Sequence, residues 1–305
     1  VKMKFSAAIL VSKKKIIIDN LEVPKLRYGQ VLVKILYSSI CQTQIGEIFG
    51  TRGKDYYLPH CLGHEAVGIV VDKHKSVLKV NLDNKVCLSW IKGSGIDSGG
   101  TIYKNEKGKT INAGPVNTFS EYAVVSENRV YKLKSKDNTI NSVLLGCAVP
   151  TAFNAIFYSL EKVKKGPLYV FGCGGVGLAT ILAAKIKKVT PIIGIDINEH
   201  KLKIAKTFGA NKVFNFKDKN FDRDLLNCFN SNFPTMIECT GNTKALNFCI
   251  ERTNPFGGKI LVIGNYSKPS KFTLDPWNII NGKTLLGAWN DQNEFDDKFN
   301  FFKKK

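Results

Sequence analysis

The second half of the chain alternates between two hydrophobic rhythms. Residues 168–171 form a short, wholly apolar run, and residues 176–188 are helix-forming and mostly apolar. Residues 191–196 return to an apolar run that ends in the carboxylate of Asp196. Short runs without a polar face predict strands buried on both sides, and the longer stretch between them predicts a crossover helix. The alternation continues as helix 199–208 ended by Gly209, strand 212–216, helix 224–229, strand 235–240, helix 243–252, strand 259–264 and strand 284–289. Six such strands joined by helices or crossovers predict a doubly wound parallel sheet. Ligands of such sheets sit beyond the carboxyl ends of the strands. Gly172, Asp196, Thr240 and Gly264 fall at those ends.

The first half has a shorter period. Residues 4–11, 15–23, 31–37, 66–71, 84–90, 118–125 and 129–133 read as strands, with a short helix at 42–49 opened by Cys41. Residues 51–57 read as a loop, and 92–115 as a glycine-rich, polar excursion. From Thr139 the apolar spacing turns helical, over 142–147 and 151–160, and 162–166 reads as a polar linker.

The turn after the first parallel strand carries chemistry. Gly172, Gly174 and Gly177 have the G-x-G-x-x-G spacing, with Gly175 and Val176 between, and Asp196 stands 19 residues after Gly177. A strand, this turn, a helix and a strand ending in a carboxylate make a dinucleotide-binding unit of the Rossmann kind. Gly172 allows the tight turn, Gly174 admits a pyrophosphate to the backbone, and Gly177 lets helix and sheet approach. The helix N-terminus offers unpaired N–H groups to the phosphates. Asp196 can accept from both ribose hydroxyls and would repel a 2′-phosphate, which favours NAD over NADP. The competing reading is a glycine-rich turn that binds nothing.

Composition narrows the picture. At 305 residues, the chain has material for two domains. Lys and Arg outnumber Asp and Glu by 45 to 25, a net charge of +20, but lysine is spread along the whole chain. No basic stripe with interleaved aromatics appears, so no nucleic-acid partner is expected; a solvated surface or an anionic ligand explains the charge. No apolar run approaches the ~18–20 residues of a membrane span. The apolar run 7–11 is too short for a signal-peptide core, so a cytoplasmic protein is expected. None of the eight cysteines forms a C-x-x-C pair. They read as buried thiols or metal ligands rather than disulfides.

Cys41, His64 and Cys147 offer two thiolates and an imidazole, a donor set that suits zinc with a fourth position open. Their separations of 23 and 83 residues carry no weight alone. The local wording does: Cys41-Gln-Thr43, Gly63-His-Glu65 and Gly146-Cys-Ala-Val-Pro-Thr151, in that order before the glycine-rich turn, resemble the zinc-binding medium-chain alcohol dehydrogenases. Residues 118–125 and 193–198 look most like the branch containing glutathione-dependent formaldehyde dehydrogenase.

The resemblance implies an α/β fold. It has a GroES-like, β-rich catalytic domain at residues 1–148, completed by 290–305 and a further C-terminal tail. A Rossmann nucleotide-binding domain spans 149–289. It implies a single catalytic Zn2+ held by Cys41, His64 and Cys147, with Glu65 as a carboxylate that can displace a ligand. Thr43 is implied as the hydroxyl that passes the alcohol proton outward, and Asp196 with Lys201 as the pair holding the adenosine ribose. Thr151, Val176 and Ile263 are implied to press on the nicotinamide, and Thr240 falls among the cofactor-binding positions. The expected reaction is hydride transfer between a small-molecule alcohol or polyol and NAD, in a homodimer or homotetramer paired through strand 284–289. A zinc-free quinone or enone reductase and a catalytically silent NAD-binding relative are the alternatives.

The chain departs from the pattern of the family it resembles. The excursion 92–115 has no cysteine, so the four-cysteine structural-zinc lobe is missing. Gln44 stands where an Asp is common, and Gly46 where some members carry a proton-relaying imidazole. Asn290-Asp291 replaces a small or glycine-rich pair. The chain ends inside a helix expected from Asn293, so the sequence reads as a fragment of a longer chain.

Overall fold

The computed structural model describes residues 3–134, 137, 139–160, 167–229, 235–289 and 295–304. The chain divides into two compact units. Unit 1 is Val1–Pro150 with Asn290–Lys304, and unit 2 is Thr151–Trp289 with Lys305.

Unit 1 begins with β1 (Lys4–Ser12), β2 (Lys15–Glu22), β3 (Gln30–Ser38), α1 (Gln42–Ile48) and β4 (His60–Cys61). There follow β5 (Glu65–Lys73), β6 (Lys85–Ser89), β7 (Thr101–Asn105), β8 (Thr110–Gly114), β9 (Tyr122–Ser126) and β10 (Val130–Lys132). Strands β1, β2, β7, β8 and β4 close a barrel, and β10, β6, β5, β3 and β9 form a five-stranded sheet in that order. Alternation places Phe5, Ile9, Leu21, Tyr103 and Ile111 in the barrel core. Val31, Val33, Val70, Leu88 and Val125 fill the core of the sheet. Each such side chain contributes roughly 1.5–3 kcal/mol by leaving water.

Residues 92–115 are therefore more than a polar excursion. They contain the hairpin of β7 and β8, which pair antiparallel and bury Tyr103, Ile111 and Ala113. The strand expected from residue 118 begins only at Tyr122.

A 3-10 segment at Asn141–Gly146 leads to Cys147, then α2 (Ala148–Asn154) and a π turn at Ala155–Ser159. The stretch read as one helix over 151–160 is thus two geometries. The linker at 162–166 lies outside the described residues, as do 290, 291 and 293.

Unit 2 contains β11 (Leu168–Phe171), α3 (Gly175–Ile186), β12 (Ile192–Asp196), α4 (Glu199–Phe208), β13 (Lys212–Asn215), α5 (Phe221–Phe229) and β14 (Thr235–Glu238). It continues with α6 (Thr243–Arg252), β15 (Lys259–Val262), α7 (Trp277–Ile280) and β16 (Thr284–Gly287). The sheet order is β13-β12-β11-β14-β15-β16, and every pairing is parallel. The order reverses beside β11, so the glycine-rich turn opens at the topological switch point, where such sheets bind ligands. All residues of β11, β12 and β14 are buried, as their unbroken apolar runs require.

Helix α8 (Phe295–Lys304) returns to unit 1. Phe299 stacks on Tyr131 at 4.8 Å, and Phe295 meets the same ring edge-on at 5.1 Å. Lys79 bridges to Asp296 at 2.6 Å beside them.

Candidate active site

Four side chains of unit 1 converge. The ligand atoms of Cys41, His64, Glu65 and Cys147 all lie within 4.8 Å of one another. Each is delivered by a different local device. Cys41 caps the N-terminus of α1, which brings Thr43 into the first turn, with the Cys41 Sγ 3.7 Å from the Thr43 hydroxyl. His64 follows Gly63, whose φ of +92° suits glycine. A Cβ there would also meet Phe119 N at 2.8 Å, so glycine is required on both counts. Glu65 opens β5, and Ser38 Oγ donates to its carbonyl at 3.0 Å while bonding Thr118 at 2.8 Å. Cys147 ends the 3-10 segment against the start of β5.

The electrostatics distinguish these groups from ordinary buried ones. Burial pushes up the thiols of Cys61, Cys87, Cys173, Cys239 and Cys249. Cys41 moves the other way, because the Cys147 thiol donates to its sulfur and His64 lies beside it. Cys147 rises correspondingly as the donor of that pair. A depressed thiol in a partly buried pocket is the signature of a ligand or nucleophile rather than an inert core cysteine. Burial raises the Glu65 carboxyl to about 7. His64 Nδ1 is taken by the Gln44 amide, and its Nε2 is buried without a hydrogen-bond partner, as is Glu65 Oε2. Other buried polar atoms among the described residues also lack a partner, so it is the clustering of these two with the thiols of Cys41 and Cys147 that points to a ligand. Two thiols, one imidazole nitrogen and one carboxylate oxygen within 4.8 Å of one another are a donor set that fits a zinc ion.

In unit 2, Gly177 packs so tightly on the turn that a Cβ would overlap the Gly172 carbonyl oxygen. Gly174 and Gly175 have open space where their Cβ atoms would lie. That leaves a cradle before the N-terminus of α3 that a phosphate can fill. The Cys173 amide donates to Asp196 Oδ2 at 2.7 Å, while Oδ1 accepts from Ile197 N at 2.8 Å and Asn198 N at 3.0 Å. Thr240 stands over Gly172, its Cγ2 2.8 Å from where a Cβ would be. Ile263 N donates to the Glu238 carbonyl at 2.8 Å, beside Thr240. Val176 lies in the first turn of α3. Lys201 is exposed in the first turn of α4, and Thr151 lies on α2, four residues beyond Cys147.

One residue of this region escapes sequence reasoning. Glu238 ends β14 fully buried, and its carboxylate accepts from Thr240 N at 2.5 Å, from the Thr240 hydroxyl, from Gly241 N at 3.1 Å and from Tyr266 OH at 2.6 Å. It fastens the loops after β14 and β15 to one another. A carboxylate closing an otherwise apolar strand is the signal that could have found it.

Comparison with known proteins fits this architecture. Residues 27–135 match the family described as "Alcohol dehydrogenase GroES-like domain", and residues 175–304 match "Zinc-binding dehydrogenase". Alcohol dehydrogenase 2 of Oryza sativa subsp. japonica is 30% identical over 304 residues, covering 90% of this chain and 80% of that protein. S-(hydroxymethyl)glutathione dehydrogenase of Saccharomyces cerevisiae is 28% identical, covering 91% and 79%. The crystal structure of benzyl alcohol dehydrogenase from Acinetobacter calcoaceticus superposes with a TM-score of 0.85 at 23% identity, over 99% of this chain and 90% of that one, and so shares the fold. The chain belongs to the zinc-type medium-chain alcohol dehydrogenase family, a family of alcohol oxidoreductases.

Proposed function

We propose that this chain is a zinc- and NAD-dependent alcohol dehydrogenase. The observation that carries the reading is the convergence of Cys41, His64, Glu65 and Cys147, whose ligand atoms all lie within 4.8 Å of one another. Cys41, His64 and Cys147 would hold the metal, and Glu65 is close enough to exchange with one of them. When bound, zinc acts as a Lewis acid that makes an alcohol hydroxyl acidic. NAD supplies the hydride acceptor. The chain's own residues do the rest. The Thr43 hydroxyl, beside Cys41, takes the alcohol proton and passes it outward. The Gly174–Gly175 cradle receives the pyrophosphate, and Asp196 with Lys201 receives the adenosine ribose. Thr151, Val176, Thr240 and Ile263 are the positions assigned to the nicotinamide end.

Zinc per chain, measured by elemental analysis on extensively dialysed protein, tests the reading together with an alcohol screen that follows NAD reduction. About one zinc and NAD reduction by an alcohol are expected. A zinc-free protein that still reduces quinones or enones would replace this reading by a zinc-free reductase. A protein that binds NADH but turns over nothing would make it a silent relative. Dimerisation through β16 belongs to the same reading, and light scattering after size exclusion checks it.

A further inference from the structure

The Gln44 side chain serves two neighbours at once. Its Oε1 accepts from the Cys41 amide at 3.1 Å, and its Nε2 meets His64 Nδ1. At 1% exposure, neither contact is open to replacement by bulk water. Chemistry fixes the orientation of the amide. A backbone N–H can only donate, so the amide oxygen faces Cys41 and the NH2 group is what remains for His64. That group also donates, so Nδ1 must be the nitrogen without a proton. The imidazole proton then sits on Nε2, the nitrogen left to face the thiols. A metal needs a bare lone pair there, with the proton on Nδ1 donated to an acceptor behind it. The Gln44 amide therefore favours the tautomer that a metal cannot use.

We infer that Gln44 locks metal-free His64 with its proton on Nε2. Metal enters only when the amide turns over, giving Oε1 to Nδ1–H and releasing the Cys41 amide from its cap on α1. The inference rests on the reading of Cys41, His64 and Cys147 as metal ligands. Gln44 is a positioning residue in this scheme, acting through His64. A carboxylate at the same position meets no conflict, since one oxygen can accept from Cys41 N–H and the other from Nδ1–H. Metal affinity is thus coupled to the hydrogen bonding of a helix cap.

Nitrogen-15 NMR of His64 in the metal-free protein gives the first test. The wild type is expected as the Nε2–H tautomer and Gln44→Glu as the Nδ1–H tautomer. Zinc affinity, read by competition with a chromophoric chelator, should rise about tenfold or more in Gln44→Glu, the usual scale for a partner behind a metal ligand. Zinc loading should accelerate hydrogen exchange at the Cys41 amide in the wild type and leave it unchanged in the variant. A metal-free wild type protonated on Nδ1, or equal zinc affinities in the two proteins, overturns the inference. If neither protein takes zinc, the metal-site reading fails, while the tautomer of the metal-free wild type still decides this one.

Discussion

The amide of Cys173 donates to Oδ2 of Asp196 at 2.7 Å, so the carboxylate at the end of β12 fastens the glycine-rich turn after β11. The residue expected to choose between NAD and NADP is also a clasp on the turn that would hold the pyrophosphate. These two jobs cannot be separated by substitution. Asp196→Ala leaves three backbone N–H groups without their acceptor and is expected to cost about 2 kcal/mol of stability. It should weaken NAD binding without creating a tight NADP site. Calorimetric titration with both cofactors and a thermal scan check this. A variant as stable as the wild type that binds NADP as the wild type binds NAD would refute it.

Cys41 separates chemistry from cofactor binding, because its thiol lies in unit 1 and the glycine-rich turn in unit 2. Cys41→Ser is expected to lose its zinc and to fall by at least about a thousandfold in turnover, about 4 kcal/mol of transition-state stabilisation. Its NADH affinity should stay within about twofold of the wild type. Steady-state rates with tryptophan-to-NADH energy transfer measure both quantities, and undiminished turnover would sink the zinc mechanism.

Glu238 and Tyr266 form a graded pair of tests. Tyr266→Phe removes one hydrogen bond to the buried carboxylate and is expected to cost about 1 kcal/mol. Glu238→Ala strands the Thr240 and Gly241 donors as well, and should cost about 3 kcal/mol. Because both loops lie at the carboxyl ends of β14 and β15, the larger loss should also weaken NADH binding. Urea unfolding of the two variants, with equal losses in both, would contradict this ordering.

The acid side of the stability profile should carry the mark of Asp296. Burial works against its ionisation, but the Lys79 ammonium at 2.6 Å and the Ser94 amide outweigh it and hold the carboxyl below its usual range. A folded value below the unfolded one gives stability that is present above about pH 4 and lost as pH falls through the lower folded value. Asp296→Asn should therefore be less stable at pH 7 and show a flatter loss as pH falls below about 4. Urea midpoints across that range decide the matter, and parallel curves for the two proteins would exclude the assignment.

The nucleotide unit was readable because buried parallel strands need unbroken apolar runs, and 168–171, 191–196 and 259–264 supply them. The hairpin of β7 and β8 was not. Its strands are five residues each, and two of the five inward-facing side chains, Thr101 and Asn105, are polar, so the hydrophobic alternation was lost among glycines and lysines. Local wording marked Cys41, His64, Glu65 and Cys147, which the fold brings together, but the Gln44–His64 contact joins residues 20 apart and no periodicity announces it. The roles of Asp196 and Glu238 as clasps stayed hidden for a similar reason. A carboxylate at a strand end is visible in a sequence, whereas the backbone amides it collects depend on how neighbouring turns close.

Unit 1 is written in two pieces, with residues 151–289 of unit 2 between them. On the ribosome, the nucleotide-binding sheet is therefore translated in full before α8, and the unit begun first gains α8 last. A nascent chain paused at residue 289 would already carry its cofactor turn, while Tyr131 still waited for the rings of Phe295 and Phe299. Chain order thus makes completion of unit 1 a late event in synthesis, one that folding of the earlier-finished sheet can precede.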